Sequence, residues 1–172
     1  NTLATVHAIT AQTLRHASDL PSAREALDQR IMSMARAHDL LTARTWTGAD
    51  LADVVVRTLE AFPPEQVKTS GPSLDLPSRH VLALSLALHE LATNATKYGA
   101  LSCPQGQVAV TWSAEANVLR IRWEECGGPP VAQAITNGFG TRLLQQLVGD
   151  LSGTIDLEYL PAGLRCELTA AL

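Results

Sequence analysis

The sequence predicts an α+β fold in two parts, a helical hairpin followed by a two-layer α/β sandwich, and three observations carry that prediction. Residues 1–43 are Ala-rich, hold no Gly, and show helical periodicity on both sides of their single proline, Pro21. From Gly48 onward come all eleven glycines and eight of the nine prolines, so the composition changes near Trp46. Beyond that break, helical apolar patterns are interleaved with paired segments that alternate every second residue. The domain boundary is therefore placed between residues 45 and 46, giving a hairpin over 1–45 and a second domain over 46–172.

Taken in order, helix one carries Leu3, Val6, Thr10, Thr13 and Ala17 at coiled-coil-like intervals, and helix two carries Leu27, Ile31, Met34, His38 and Leu41. Helix two should begin near Ser22, because Ser22 and Glu25 have the spacing of a capping box. Two helices cannot enclose a core alone, so the seam needs either a second copy of the hairpin, making a four-helix bundle, or the rest of its own chain. In the second domain, 50–61 reads as a helix ended by Pro63 and Pro64, and 67–76 as short strands around Gly71-Pro72. A long helix runs from Pro77 to Tyr98 and stops at Gly99, read as a C-terminal cap. Segments 107–113 and 118–125 pair as strands, as do 154–160 and 164–172 after a helix at 141–151. The result is helices on a mostly antiparallel sheet.

Thirteen basic against seventeen acidic residues, a net charge of −4 and no run of like charge give no attraction for nucleic acid or anionic lipid. Cys103, Cys126 and Cys166 are odd in number and far apart, which indicates neither a disulfide framework nor a zinc site. The longest apolar run, from Val81 to Leu88, is far short of the roughly 20 residues that span a bilayer. A cytoplasmic location is expected for this segment, with no membrane contact of its own and with room for an anchor upstream.

Chemistry concentrates in three places. In HELATNATKYGAL, residues 89–101, the side chains of Glu90, Asn94, Lys97 and Tyr98 share one helix face while Leu84, Leu88, Leu91 and Ala95 line another. A carboxylate and a carboxamide one turn apart offer Mg²⁺ hard oxygen ligands, and Lys97 adds a point charge for phosphate; an ordinary solvated Glu–Lys face is the plainer alternative. In WEECGGPPV, residues 123–131, Glu125 sits at a strand end and could accept from an exocyclic amine, followed by Gly127 and Gly128, which permit close backbone approach or simply make a turn. In GFGTRLL, residues 138–144, a G-x-G turn feeds a helix whose first amides suit an anion, with Thr141 read as the cap.

The three in this order closely resemble the HWE histidine kinases, a subgroup of sensor kinases whose ATPase domain is of the GHKL type. His89, Trp123 and Glu125 match the His and the W-x-E for which the subgroup is named, and the amino-terminal NTLATVHAITAQTLRHA and ARAHDLLT extend the likeness to nearly the whole chain. The resemblance implies an ATP-binding catalytic domain over 46–172, with Asn94 and Glu90 at Mg²⁺, Lys97 near the phosphates and Glu125 reading adenine. It places Gly127, Gly138, Gly140 and Thr141 in the cofactor site, with residues 129–137 as a short lid. Tyr98 either flanks the nucleotide or packs at the helix end. Of the catalytic group His89, Glu90 and Lys97, Glu90 either orients the metal or accepts the proton of an attacking imidazole.

The resemblance further implies a homodimer through the hairpin, ATP-dependent phosphorylation of a histidine, and transfer to an Asp of a response-regulator receiver domain. The acceptor motif H-R-x-x-N would end at Asn1, which puts its His four residues upstream of this sequence; His7, His16 and His38 are read as surface or packing residues. The competing reading is a phosphotransfer adaptor whose ATPase-like domain no longer binds nucleotide.

Overall fold

The computed structural model describes residues 2–16, 19–43, 48–130 and 139–172. It opens with α1 (Thr2–His16) and α2 (Leu20–Ala43). Asp19 starts α2, its carboxylate accepting the Ser22 N–H at 2.7 Å and so satisfying one orphan donor of the first turn. Ser22 is thus the third helical residue and not the cap. Pro21 lies inside the first turn instead of between the helices, because a residue there needs no N–H.

The buried stripe of α2 is also displaced from the expected seam. Met34 and Leu41 are buried and Leu27 and His38 half-buried, but Ile31 is 41% exposed, and Ala23, Arg30, Ser33 and Ala37 are buried instead. On α1, Ile9 and Thr13 are buried and Val6 and Thr10 half-buried, whereas the side chains of Leu3 and Ala17 lie outside the described residues. The stripe has turned because α2 packs against α4 and α3 of its own chain. The predicted boundary at 45/46 lies outside the described residues.

After a two-residue strand β1 (Ala49–Asp50) comes α3 (Leu51–Leu59), capped by Asp50. One Asp50 oxygen accepts the Ala52 N–H at 2.7 Å and the other the Leu74 N–H at 3.0 Å, so the cap also fastens the segment leading to β3 (Asp75–Leu76), which pairs with β1. Strand β2 (Val67–Ser70) precedes it, and α4 (Ser78–Tyr98) follows. The remaining elements are β4 (Gln107–Glu115), β5 (Val118–Cys126), α5 (Phe139–Gly149), β6 (Thr154–Leu160) and β7 (Gly163–Ala171). Ala116 and Asn117 both have positive φ, the two-residue turn that matches strand twist between β4 and β5.

Five strands form one sheet in the order β2-β4-β5-β7-β6, antiparallel except for β2 with β4. Alternation sends Val108, Val110, Leu119, Ile121, Trp123, Cys166 and Leu168 into the core, and Arg120, Arg122, Glu167 and neighbours to the other face. Burial pushes the Cys166 thiol up to about 12, so it behaves as an inert core residue. Helix α4 is tied to the sheet at both ends: the His80 ring meets the Ala171 carbonyl through Nε2 at 2.6 Å, and Glu125 of β5 receives the Ala100 N–H just past the helix.

Leu41 of α2 is fully buried in the same apolar cluster as Leu51, Val55 and Leu84. Leu41→Ala is therefore expected to lower unfolding stability by about 2–5 kcal/mol in urea titration, the cost of a core cavity. An exposed outer hairpin residue such as Met32, changed to Ala, should shift it by no more than about 0.5 kcal/mol.

Candidate functional site

Along α4 the predicted chemical face grades from closed to open. Glu90 is 5% exposed, Asn94 half-buried, Lys97 exposed and Tyr98 64% exposed, so the Tyr98 ring is not a packing element of the core. The start of α5 is pressed against the closed part. A Cβ added at Gly140 would lie 3.2 Å from Asn94 Nδ2 and 3.6 Å from Glu90 Oε2, which brings Glu90, Asn94 and the G-x-G turn together across 50 residues. Helix α5 begins at Phe139, so Thr141 is its third residue and half-buried, not its cap. Gly138 and residues 131–137 of the expected lid lie outside the described residues.

Glu90 is engaged from the hairpin. Arg30 of α2 forks onto it, Nε to Oε1 at 2.6 Å and Nη2 to Oε2 at 2.8 Å, with both side chains less than one-tenth exposed. The third arm, Nη1, donates to Thr13 Oγ1 on α1 at 3.1 Å, and Thr13 donates to the Ile9 carbonyl at 2.6 Å. A two-point guanidinium–carboxylate pair is among the strong charge-assisted contacts, and a buried one is costly to halve, at about 3–5 kcal/mol. The bland solvated Glu–Lys face is thereby replaced by a contact 60 residues apart in sequence.

His89 lies 100° around the helix from Glu90. Its ring is buried, tilted against Phe62 at a centroid distance of 6.0 Å, and neither ring nitrogen has a hydrogen-bond partner among the described residues. Burial lowers its pKa, the charges of Arg36 and Arg30 lower it further, and Glu90 opposes them. The neutral imidazole is favoured, and five residues along the helix separate it from Asn94.

Glu125 holds the far end of the face. Its Oε1 accepts the Trp123 indole N–H at 3.0 Å and its Oε2 the Ala100 N–H at 2.9 Å. Burial raises its pKa from the ordinary 4.5, with those two donors pulling the other way. Gly99 ends α4 in extended backbone, at φ −118°, and is not a left-handed cap; glycine is needed because a Cβ would fall on the Glu125 carboxylate. Gly127, at φ +71°, is a turn glycine whose Cβ would lie 2.8 Å from the Gln105 carbonyl oxygen, so its surroundings are protein backbone.

Two side chains escaped sequence reasoning. Gln66, buried, donates from Nε2 to the carbonyls of Cys103 and Gly106, both at 2.7 Å, and so braces the loop after α4. Arg30 had a signal: it falls three residues after Leu27 and four before Met34, within the apolar stripe. Among the described residues no cluster of three or more His, Cys, Asp or Glu could hold a metal. A cation here would take a carboxamide and an acid from the chain and most of its ligands from phosphate and water, which is how Mg²⁺ binds nucleotides. The Gly140 cradle fits that donor set.

Comparison with known proteins finds histidine kinases. The family model for HWE histidine kinase matches residues 1–73. The whole chain aligns at 38% identity with a blue-light-activated histidine kinase of Brucella anthropi and at 36% with that of Brucella ovis, spanning 37% of the length of each. Among solved structures, the histidine kinase domain of the blue-light-activated kinase from Erythrobacter litoralis superimposes over 99% of this chain and 84% of its own, with a TM-score of 0.72 at 16% identity. The ATP-binding domain of PrrB from Mycobacterium tuberculosis matches 72% of this chain and 94% of its own, with a TM-score of 0.53 at 21% identity. Sequence motifs, helix-and-sheet architecture and similarity along the whole of this chain converge on the HWE histidine kinases as the family to which it is similar.

Proposed function

We propose that the chain is the hairpin and nucleotide-binding core of a histidine kinase, using ATP with Mg²⁺ to phosphorylate a histidine and passing the phosphoryl group to an Asp of a receiver domain. The observation that carries the reading is the approach of Gly140 to Asn94 and Glu90, which sets a helix start opposite a carboxamide and an acid. Similarity to the histidine kinases supplies the reaction class. The proposed division at 45/46 assigns the hairpin to dimerisation and the rest to catalysis, and the outward Leu14, Leu20, Ile31 and Met32 of the hairpin support a homodimer. Among the described residues no helix is long and apolar enough to cross a membrane, in keeping with a core working in the cytoplasm.

Bound Mg²⁺–ATP would supply the transferable phosphoryl group and the cation that neutralises its charge. The Asn94 carboxamide would help hold that cation, and the first amides of α5, at Gly140 and Thr141, would offer donors to the phosphates. Lys97, at the open end of the face, adds positive charge, and Glu125 with Tyr98 and Gly127 marks the purine end. Glu90 is placed to orient the metal or to take the proton of the incoming imidazole. Little covalent help is needed from the protein, since in-line transfer depends on positioning and charge.

Calorimetry on this chain should show Mg²⁺–ATP binding at micromolar affinity. Absence of heat with Mg²⁺–ATP would support the adaptor instead.

A further inference from the structure

One oxygen in this molecule has two claimants. Glu90 Oε2 receives the Arg30 Nη2 donor at 2.8 Å from the hairpin side, and on the other side lies 3.6 Å from where a Gly140 Cβ would stand. The hairpin contact is bidentate, so Oε1 is taken as well, by Nε at 2.6 Å. A carboxylate so forked has its charge matched by the guanidinium, and a divalent cation brought to it meets a fixed positive charge. The same carboxylate cannot serve the hairpin and the metal at full strength.

We propose that Arg30 is a positioning residue of the nucleotide site, contributed by the hairpin, which acts through Glu90 and makes hairpin docking and Mg²⁺–nucleotide binding oppose one another. The inference rests on the nucleotide reading given above. Docked, Arg30 ties α1 through Thr13, α2 through its own backbone and α4 through Glu90, so one side chain reports the position of three helices to the site. Released, it hands Glu90 to the cation. The surroundings favour separation: Ser33 Oγ and Arg36 Nε of α2, and both ring nitrogens of His89 on α4, are buried without hydrogen-bond partners among the described residues, and each would gain water if the helices parted. By linkage, whatever docking costs the ligand, the ligand costs docking in equal measure.

The sign of the effect separates this role from two others. An arginine that merely attracts phosphate would, when neutralised, weaken Mg²⁺–nucleotide binding, and an arginine that merely supports the fold would leave it unchanged or weaker. A gate does the opposite. Arg30→Gln should tighten binding of Mg²⁺ with a nonhydrolysable ATP analogue by about tenfold, as expected for removing one unfavourable unit charge beside the cation. Arg30→Lys, which keeps the charge but cannot fork, should fall between parent and Arg30→Gln. Hydrogen exchange on the parent needs no variant: Mg²⁺–analogue should speed amide exchange across 20–43 several-fold while leaving 107–126 protected, and the analogue without metal should not.

If the parent binds and Arg30→Gln binds no tighter, or if loading with metal and analogue leaves exchange across 20–43 unchanged, the gate is overturned and the kinase reading stands. If the parent takes up no nucleotide, both fall together.

Discussion

Asn94→Ala is expected to abolish detectable Mg²⁺–ATP binding, with a loss of about 100-fold in affinity, the upper end for removing a metal-supporting group. The fold should survive it. The side chain is half-buried between the closed and open ends of the α4 face, and its neighbours in the core, Leu91 and Ala95, point elsewhere. Melting should therefore move by no more than the about 0.5 kcal/mol typical of a surface change. Calorimetry against Mg²⁺–ATP and a thermal melt on the same sample check both halves. A variant that bound as tightly as its parent would remove Asn94 from the metal site.

Glu125→Ala strikes both stability and selectivity. It strands the Trp123 indole N–H and the Ala100 N–H in a buried setting, and at about 1–3 kcal/mol for each orphaned donor the loss should come to about 2–6 kcal/mol. Because Ala100 follows closely on the end of α4, the variant should also loosen the proposed purine end of the face, and preference for ATP over GTP should fall. Equal preference before and after the change would take the purine role from this carboxylate and leave it as the link between β5 and α4.

The acid also has a pH signature. Its folded pKa lies above the ordinary 4.5, chiefly through burial. Protonated Glu125 therefore favours the fold, and that contribution is full below 4.5 and is lost as the pH rises through the raised value. Urea titrations across that window should show the parent losing this contribution toward neutral pH, while Glu125→Ala shows a flatter profile. A parent profile no steeper than that of the variant would mean the carboxyl is not held above its ordinary range.

Most of the architecture could be read from local pattern. The alternation of 107–113 and 118–125, the apolar period of α4 and the Gly–Pro punctuation after residue 48 locate strands, helices and turns because each depends on neighbours a few residues away. The α4 face was legible in the same way: i, i+4, i+7 and i+8 must share a side of any helix. Where the local rules admitted two outcomes they misled. Ser22–Glu25 has the spacing of a cap, yet Asp19 caps α2; Gly99 does cap α4 as its place predicts, but the need for glycine there comes from the carboxylate of a strand.

The chain's order of residues by itself pointed to the HWE histidine kinases and to the helix face on which Glu90, Asn94, Lys97 and Tyr98 gather. The tertiary structure alone decided that the hairpin's buried stripe turns toward α4, that Arg30 grips Glu90 from 60 residues away, and that Trp123, Glu125 and Ala100 form one knot. The reason is physical: periodicity tells which side of a helix is buried but not which partner buries it, and a charged side chain in an apolar stripe acquires its meaning only when packing sets the opposite charge across from it.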